Sequence, residues 1–143
     1  MSEPTKPEVG SVNWFDLTVP NADRVRDFYA EVAGWRPEPV EMDGYSDYSM
    51  NLPGSGRTVT GICHARGANA KLPPQWLLYI TVVSLDHSLR KCVERGGAII
   101  ESAREMGDMG RMCGIRPGRC APCSNRRAAR FEPGSTARRV FRR

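Results

Sequence analysis

Long hydrophobic runs are absent from these 143 residues, so no segment approaches the roughly 20 apolar residues a helix needs to cross a bilayer. The first ten residues, MSEPTKPEVG, also lack the apolar core of a secretion signal. Histidine is almost missing, with only His64 and His87 present. Cys120 and Cys123 have the spacing of half a zinc site, but no second cysteine pair or histidine pair lies near to complete it. Cysteine is sparse and odd in number, five in all, which argues for reduced thiols and a cytoplasmic protein. Lysine disappears after residue 110: positions 111–143 hold 10 arginines, no lysine and the single acid Glu132. Residues 1–110 carry a balance of −4, so the net charge of +5 belongs to the tail alone.

What is present is a repeated pattern of β-formers, capped helices and turn residues. Residues 1–10 read as a loose leader. Ser11 to Pro20 reads as a strand closed by proline, and Asn21 is a good N-cap for a helix from Ala22 to Ala33. Val25, Phe28, Tyr29 and Val32 recur at helical spacing and form its expected apolar stripe, ended by Gly34. Phe28 and Val32 are therefore expected in the core. Three extended segments follow, Trp35 to Met42, Tyr45 to Leu52 and Arg57 to Ala65, separated by Asp43-Gly44 and Pro53-Gly54-Ser55-Gly56. After a loop the order begins again. Trp76 to Val83 reads as a strand, and Ser84 caps a helix whose stripe is Leu85, Leu89, Cys92 and Val93. Ala98 to Ser102 and Met109 to Ile115 read as further strands. The two copies begin about 63 residues apart, and such a repeat marks a fold made of two like units.

Specific residues carry a resemblance to a known family. They are Leu17-Thr18-Val19-Pro20-Asn21, Arg26-Asp27-Phe28-Tyr29 and Val32-Ala33-Gly34-Trp35, with Tyr79-Ile80-Thr81-Val82, Leu85-Asp86 and Val93-Glu94-Arg95-Gly96-Gly97 in the second copy. Over residues 11–115 the chain resembles the vicinal-oxygen-chelate superfamily of glyoxalases, bleomycin-resistance proteins and dioxygenases. The resemblance implies an α+β fold in which two βαβββ modules form a cupped, half-open barrel around a small molecule. It places a first module at 11–66, a linker loop at 67–75, a second module at 76–116 and a tail at 117–143. A homodimer is implied as well.

Fold alone does not fix function here. In metal-dependent relatives His, Gln or Glu side chains from the first and last strands of each module hold a divalent ion. By register those positions fall on Trp14, Gly61 and Leu77 (or Trp76 after a one-residue slip), none of which is a ligand. His64 alternates to the face opposite Gly61, where a satisfied or surface histidine is expected, and His87 is expected to be exposed. The reading is therefore a small-molecule binder without a metal cofactor, whose ligand contacts are Trp14, Asp16, Tyr48, Cys63, Trp76 and Tyr79. Plain core packing is the bland alternative for the aromatics, and a small core residue for Cys63. The rival function is a divalent-metal-dependent lyase, isomerase or dioxygenase, so whether the protein is an enzyme stays open. Relatives continue the Gly110 to Arg116 strand with Asp-Pro-x-Gly and a last apolar strand. Here the tail turns Arg-rich without a periodic face. It reads more readily as an out-of-frame or otherwise altered C-terminus than as a nucleic-acid-binding arm. No strand is expected in it.

Overall fold

A computed structural model of the chain describes residues 7–118 and the backbone of a strand at Arg138–Arg142. In chain order the elements are β1 (Val12–Val19), α1 (Ala22–Ala33), β2 (Arg36–Glu41), β3 (Ser46–Asn51), β4 (Thr58–His64), β5 (Trp76–Thr81), α2 (Leu85–Glu94), β6 (Ala98–Ile99), β7 (Arg104–Glu105), β8 (Arg111–Arg116) and β9 (Arg138–Arg142). The fold is mixed α+β, a single curved sheet with two helices. Strand order is β2-β3-β4-β1-β5-β9-β8-β6, with β7 also paired to β8. No helix among the described residues is long and apolar enough to cross a membrane.

Local chemistry sets the helices. The Asn21 side chain accepts a hydrogen bond from the Arg24 amide at 3.1 Å, and Gly34 ends α1 in the left-handed conformation at φ 70°. Ser84 caps α2 in the same way, accepting from the His87 amide at 3.3 Å. β2 is exposed along its whole length and carries Pro37 and Pro39, the residues that blunt a sheet edge against further pairing.

The two halves share one plan. In the first, β4 lies parallel to β1; in the second, β9 lies parallel to β5. An antiparallel pairing of β1 with β5 joins them, with Asp16 opposite Leu77 and Trp14 opposite Tyr79. One face of the sheet carries the helices. There Ala22, Met50 and Ile62 are fully buried, with Val25 and Tyr29 of α1 against them. The other face is concave, and Leu72, Leu77, Tyr79 and Met112 form its core with Trp14, Ile100 and Met106 packed around them.

Several expectations need correction. Phe28 and Val32 are not core residues, being 56% and 67% exposed. The side of α1 that meets the sheet is set by Ala22, Val25 and Tyr29; Phe28 lies about a quarter-turn from that line, and Val32, in the helix's last turn, is left in water. Val93, at the end of α2, is exposed as well, while Leu85 and Leu89 pack inward. The expected strand from Ala98 to Ser102 shrinks to Ala98–Ile99. A strand also appears where none was expected, since the backbone of Arg138–Arg142 pairs with β5 on one side and β8 on the other. The intervening residues 119–137, with Cys120 and Cys123, lie outside the described residues, as does the reading of that stretch as out of frame.

Core placement can be checked by denaturation. Ile62→Ala or Met50→Ala should lower the unfolding free energy by about 2–5 kcal/mol, as large-to-small changes at buried sites do. Phe28→Ala and Val32→Ala should each cost under about 1 kcal/mol, because the side chains already face water.

Candidate functional site

The concave face gathers Trp14 and Asp16 from β1, Gly61 and Cys63 from β4, and Leu77, Tyr79 and Thr81 from β5. Alternation along each strand puts these positions on one side. Asp16 is the centre of the group. Its Oδ2 accepts the Tyr79 hydroxyl at 2.5 Å, and its Oδ1 accepts the Trp14 indole N–H at 3.2 Å. The Cys63 thiol lies 3.9 Å from the same Oδ1, a weak donor at long range. Hydrogen bonds to a carboxylate are stronger than neutral ones, so this set fixes both rings. Glycine at 61 is what makes the arrangement fit. A Cβ there would stand 2.4 Å from Asp16 Oδ1, closer than any such contact tolerates.

Above this floor opens a cavity of about 530 Å³. Asn13, Trp14, Asp16, Tyr79 and Thr81 line its inner part, while Pro7, Val9, Val82, Val83, Met106 and Met109 line the rest. Asn13 is there because the β1–β5 register slips by one residue between Val12 and Trp14. The bulge re-aims a side chain that strict alternation would send to the helix face. Once inside, Asn13 Nδ2 donates to Thr81 Oγ1 at 2.5 Å. The sequence reading missed Asn13, and its one available signal was a poor β-former within a strand of good ones. It also missed Val9 and Met106, which lie in stretches read as loop, and Val83 and Met109, which stand at the ends of stretches read as strands.

Of the expected contacts, Trp14, Asp16, Cys63 and Tyr79 come together, and Tyr48 and Trp76 do not join them. Trp76 is three residues from Tyr79 and so points to the helix face. Its indole N–H donates to the Tyr29 hydroxyl at 3.3 Å, and its ring meets Tyr29 and Trp35 edge-on. Tyr48 stands opposite Ile62 on that same face. Its hydroxyl donates to Asp23 of α1, and the Arg26 guanidinium lies 4.5 Å from its ring centre. The Asp23 carboxylate holds the Tyr48 phenol above its ordinary range.

His64 is buried and engaged. Its Nδ1 lies 3.1 Å from the Ser46 carbonyl and 3.5 Å from Asp47, while its backbone N–H donates to Asp47 at 2.7 Å. It faces away from the cavity, and His87 is exposed. Trp14, Gly61 and Leu77 occupy the three positions where the resemblance would seek metal ligands, and none can donate to an ion. Among the described residues, no three His, Cys, Asp or Glu side chains cluster as a metal site. Asp16, the carboxylate nearest, has indole, phenol and thiol donors around it. Cys113, fully buried beside Leu85, has its thiol pushed up to about 11 by burial.

Comparison with known proteins shows the family and the fold. The sequence model of the Glyoxalase/Bleomycin resistance protein/Dioxygenase superfamily matches residues 11–115. CFP32 of Mycobacterium bovis, a glyoxylase by name, is 33% identical over 108 residues, covering 72% of this chain and 40% of its own length. The anthracycline biosynthesis protein DnrV of Streptomyces peucetius is 28% identical over 90 residues, or 63% of this chain and 32% of its own. The chain thus spans 40% or less of the length of these curated relatives. Glyoxalase I from Zea mays shares the fold, with a TM-score of 0.54 at 11% identity over 93% of this chain and 43% of that one.

Three outcomes follow from the packing at Gly61 and the burial of Cys113. Gly61→Ala should cost roughly 1–3 kcal/mol through overpacking and shift the Trp14 emission as Asp16 is displaced. Calorimetry and fluorescence read both. At pH 8, iodoacetamide should leave Cys113 untouched in peptide maps, because the thiolate is the reactive form. Since the folded Cys113 thiol ionises at about 11, above the unfolded value of roughly 8.5, the unfolded state loses its proton first. Stability should therefore fall as pH rises between about 9 and 11, and Cys113→Ala should flatten that slope.

Proposed function

This chain belongs to the glyoxalase/bleomycin resistance protein/dioxygenase superfamily, and on that premise we propose that its cup binds a small, largely apolar organic molecule without a divalent ion. The observation that carries the reading is the cavity of about 530 Å³ whose floor is the Trp14–Asp16–Tyr79 group. Its size falls within the roughly 300–1,000 Å³ usual for small-molecule sites, which are mostly apolar with a few placed polar groups. Trp14, Gly61 and Leu77 put aromatic, hydrogen and aliphatic groups where metal-dependent members need lone pairs. One relative is named for glyoxylase chemistry and another for anthracycline biosynthesis, and both names concern small organic molecules.

In this reading each floor residue has a role. Trp14 supplies a ring face against which an apolar ligand packs, and the nearly buried Tyr79 backs the floor beneath it. Asp16 anchors both rings and offers the cavity a carboxylate, while Cys63 fills the space beside Gly61. A second copy of the chain is the expected macromolecular partner, on the strength of the resemblance.

Metal analysis of the purified protein should return well under one divalent ion per chain. Added Ni, Zn, Mn or Fe should barely move the melting temperature, whereas an ion at about 100 times its Kd would add about 2.7 kcal/mol. Small aromatic alcohols and ketones should quench Trp14 saturably, and Tyr79→Phe should weaken that binding by roughly tenfold, about 1.4 kcal/mol. One tightly held ion per chain coordinated by Asp16 would overturn the metal-free reading. Light scattering at tens of micromolar should give a dimer mass, and a monomer there would remove the second copy from the proposal.

A further inference from the structure

The apolar wall of the cup does not stop at its mouth. Val9, Val83 and Met109 all line the cavity, yet they are 59%, 73% and 54% exposed. They come from three separate places: the segment before β1, the residues after β5 and the turn before β8. Single exposed hydrophobics are ordinary, but three on one rim, continuous with a cavity, mark a surface that something covers.

Backbone hydrogen bonds hold that rim in place. Gly10 N–H donates to the Thr81 carbonyl at 2.8 Å and Thr81 N–H to the Ser11 carbonyl at 3.0 Å, which fastens the Val9 segment along β5. Gly10 turns the chain there at φ 88°, a conformation open to glycine. On the far side Met106 N–H donates to the Gly110 carbonyl at 2.7 Å and closes the turn bearing Met109. Below the rim lie two aromatic rings, Trp14 and Tyr79, and the thioether of Met106. Among the described lining residues Asp16, on the floor, is the one with a carboxyl group.

We infer that the cup takes a neutral, flat, polycyclic aromatic molecule whose outer edge is gripped by Val9, Val83 and Met109. This rests on the proposed reading of the cup as a ligand site and names the class of ligand. A small polar molecule seated on the floor would leave the three rim side chains in water and gain nothing from them. A rigid ring system reaches from floor to rim, buries both, and has little internal freedom to lose. Rings also gain contacts that a saturated chain does not: stacking or edge packing on Trp14, and sulfur–aromatic contact with Met106 and Met109. The rim residues are thus specificity-determining positions for this site.

The test uses the full chain with Nile red, a neutral polycyclic dye, and with phenol as a single-ring probe. Dye emission and Trp14 quenching report binding. Val9→Ser, Val83→Ser and Met109→Ser change exposed side chains, and an unchanged melting temperature confirms that each variant folds. Each should weaken Nile red by roughly three- to tenfold, and the triple variant by about a hundredfold, from lost apolar burial. Phenol binding should stay within about twofold of wild type. The inference is overturned if Nile red binds and the rim variants leave its affinity unchanged, if hexadecan-1-ol displaces it with equal affinity, or if phenol binds and Nile red does not. Dye seated on the exposed Phe28 and Val32 would be lost in Phe28→Ser instead of the rim variants, and would equally overturn it. If neither probe quenches Trp14, the ligand-site reading itself fails and takes this inference with it.

Discussion

The carboxylate of Asp16 occupies space that any side chain at residue 61 would claim, and the join between the two halves of the sheet is organised around it. β1 and β5 meet there, and the hydrogen bond from Tyr79 to Asp16 ties the two strands by side chains as well as backbone, while Trp14 donates to the same carboxylate from within β1. Tyr79 is 2% exposed, so removing its acceptor would strand a buried hydroxyl at a cost of about 1–3 kcal/mol. Glycine at 61, the acid at 16 and the two rings are therefore one unit. The floor it makes is stiff, because each ring has a fixed polar end. The rim is softer, being built from valines and flexible methionines.

Much of the fold could be read from local chemistry. Asn21 and Gly34 bound α1, and Ser84 bounds the start of α2, because caps act through neighbouring amides and need no distant partner. Strands with their own turns, such as β3 and β4, were legible too. What failed depended on distance in sequence. Ala22 is too small to stand out in a hydrophobic stripe, yet its full burial sets the angle at which α1 meets the sheet and so leaves Phe28 and Val32 outside. β9 is the clearest case. Arg138–Arg142 has no alternating apolar pattern, and its pairing with β5 and β8 comes from filling a gap between two strands already placed.

For the site, the period of two did most of the work and also exposed its own misuse. Trp14, Asp16, Cys63 and Tyr79 were legible because alternation from the Val19-Pro20-Asn21 strand end carries them to one face. The same rule separates Trp76 from Tyr79, which differ by an odd number, so an aromatic wall containing both was never available on one strand. Tyr48 fails through its partner, since Ile62 opposite it belongs to the helix face. Asn13 was hidden by a bulge, which breaks alternation without leaving a clear mark in sequence.

If the proposed reading holds, the floor shows how a family frame built for vicinal-oxygen chelation would serve a different kind of recognition. An ion at the meeting of β1, β4 and β5 would organise a ligand through strong, directional bonds to two oxygens. With Trp14, Gly61 and Leu77 at those positions, the same strands enclose apolar volume around one carboxylate set among neutral donors. Directional pull then gives way to shape and contact area as the source of affinity. Contact area grows with the extent of the wall, and a wall that ends at the floor is small. A site of this kind gains most by continuing outward, which is where Val9, Val83 and Met109 stand. On the proposed reading, the exposed rim and the floor without metal ligands go together as one way for the cup to hold a guest.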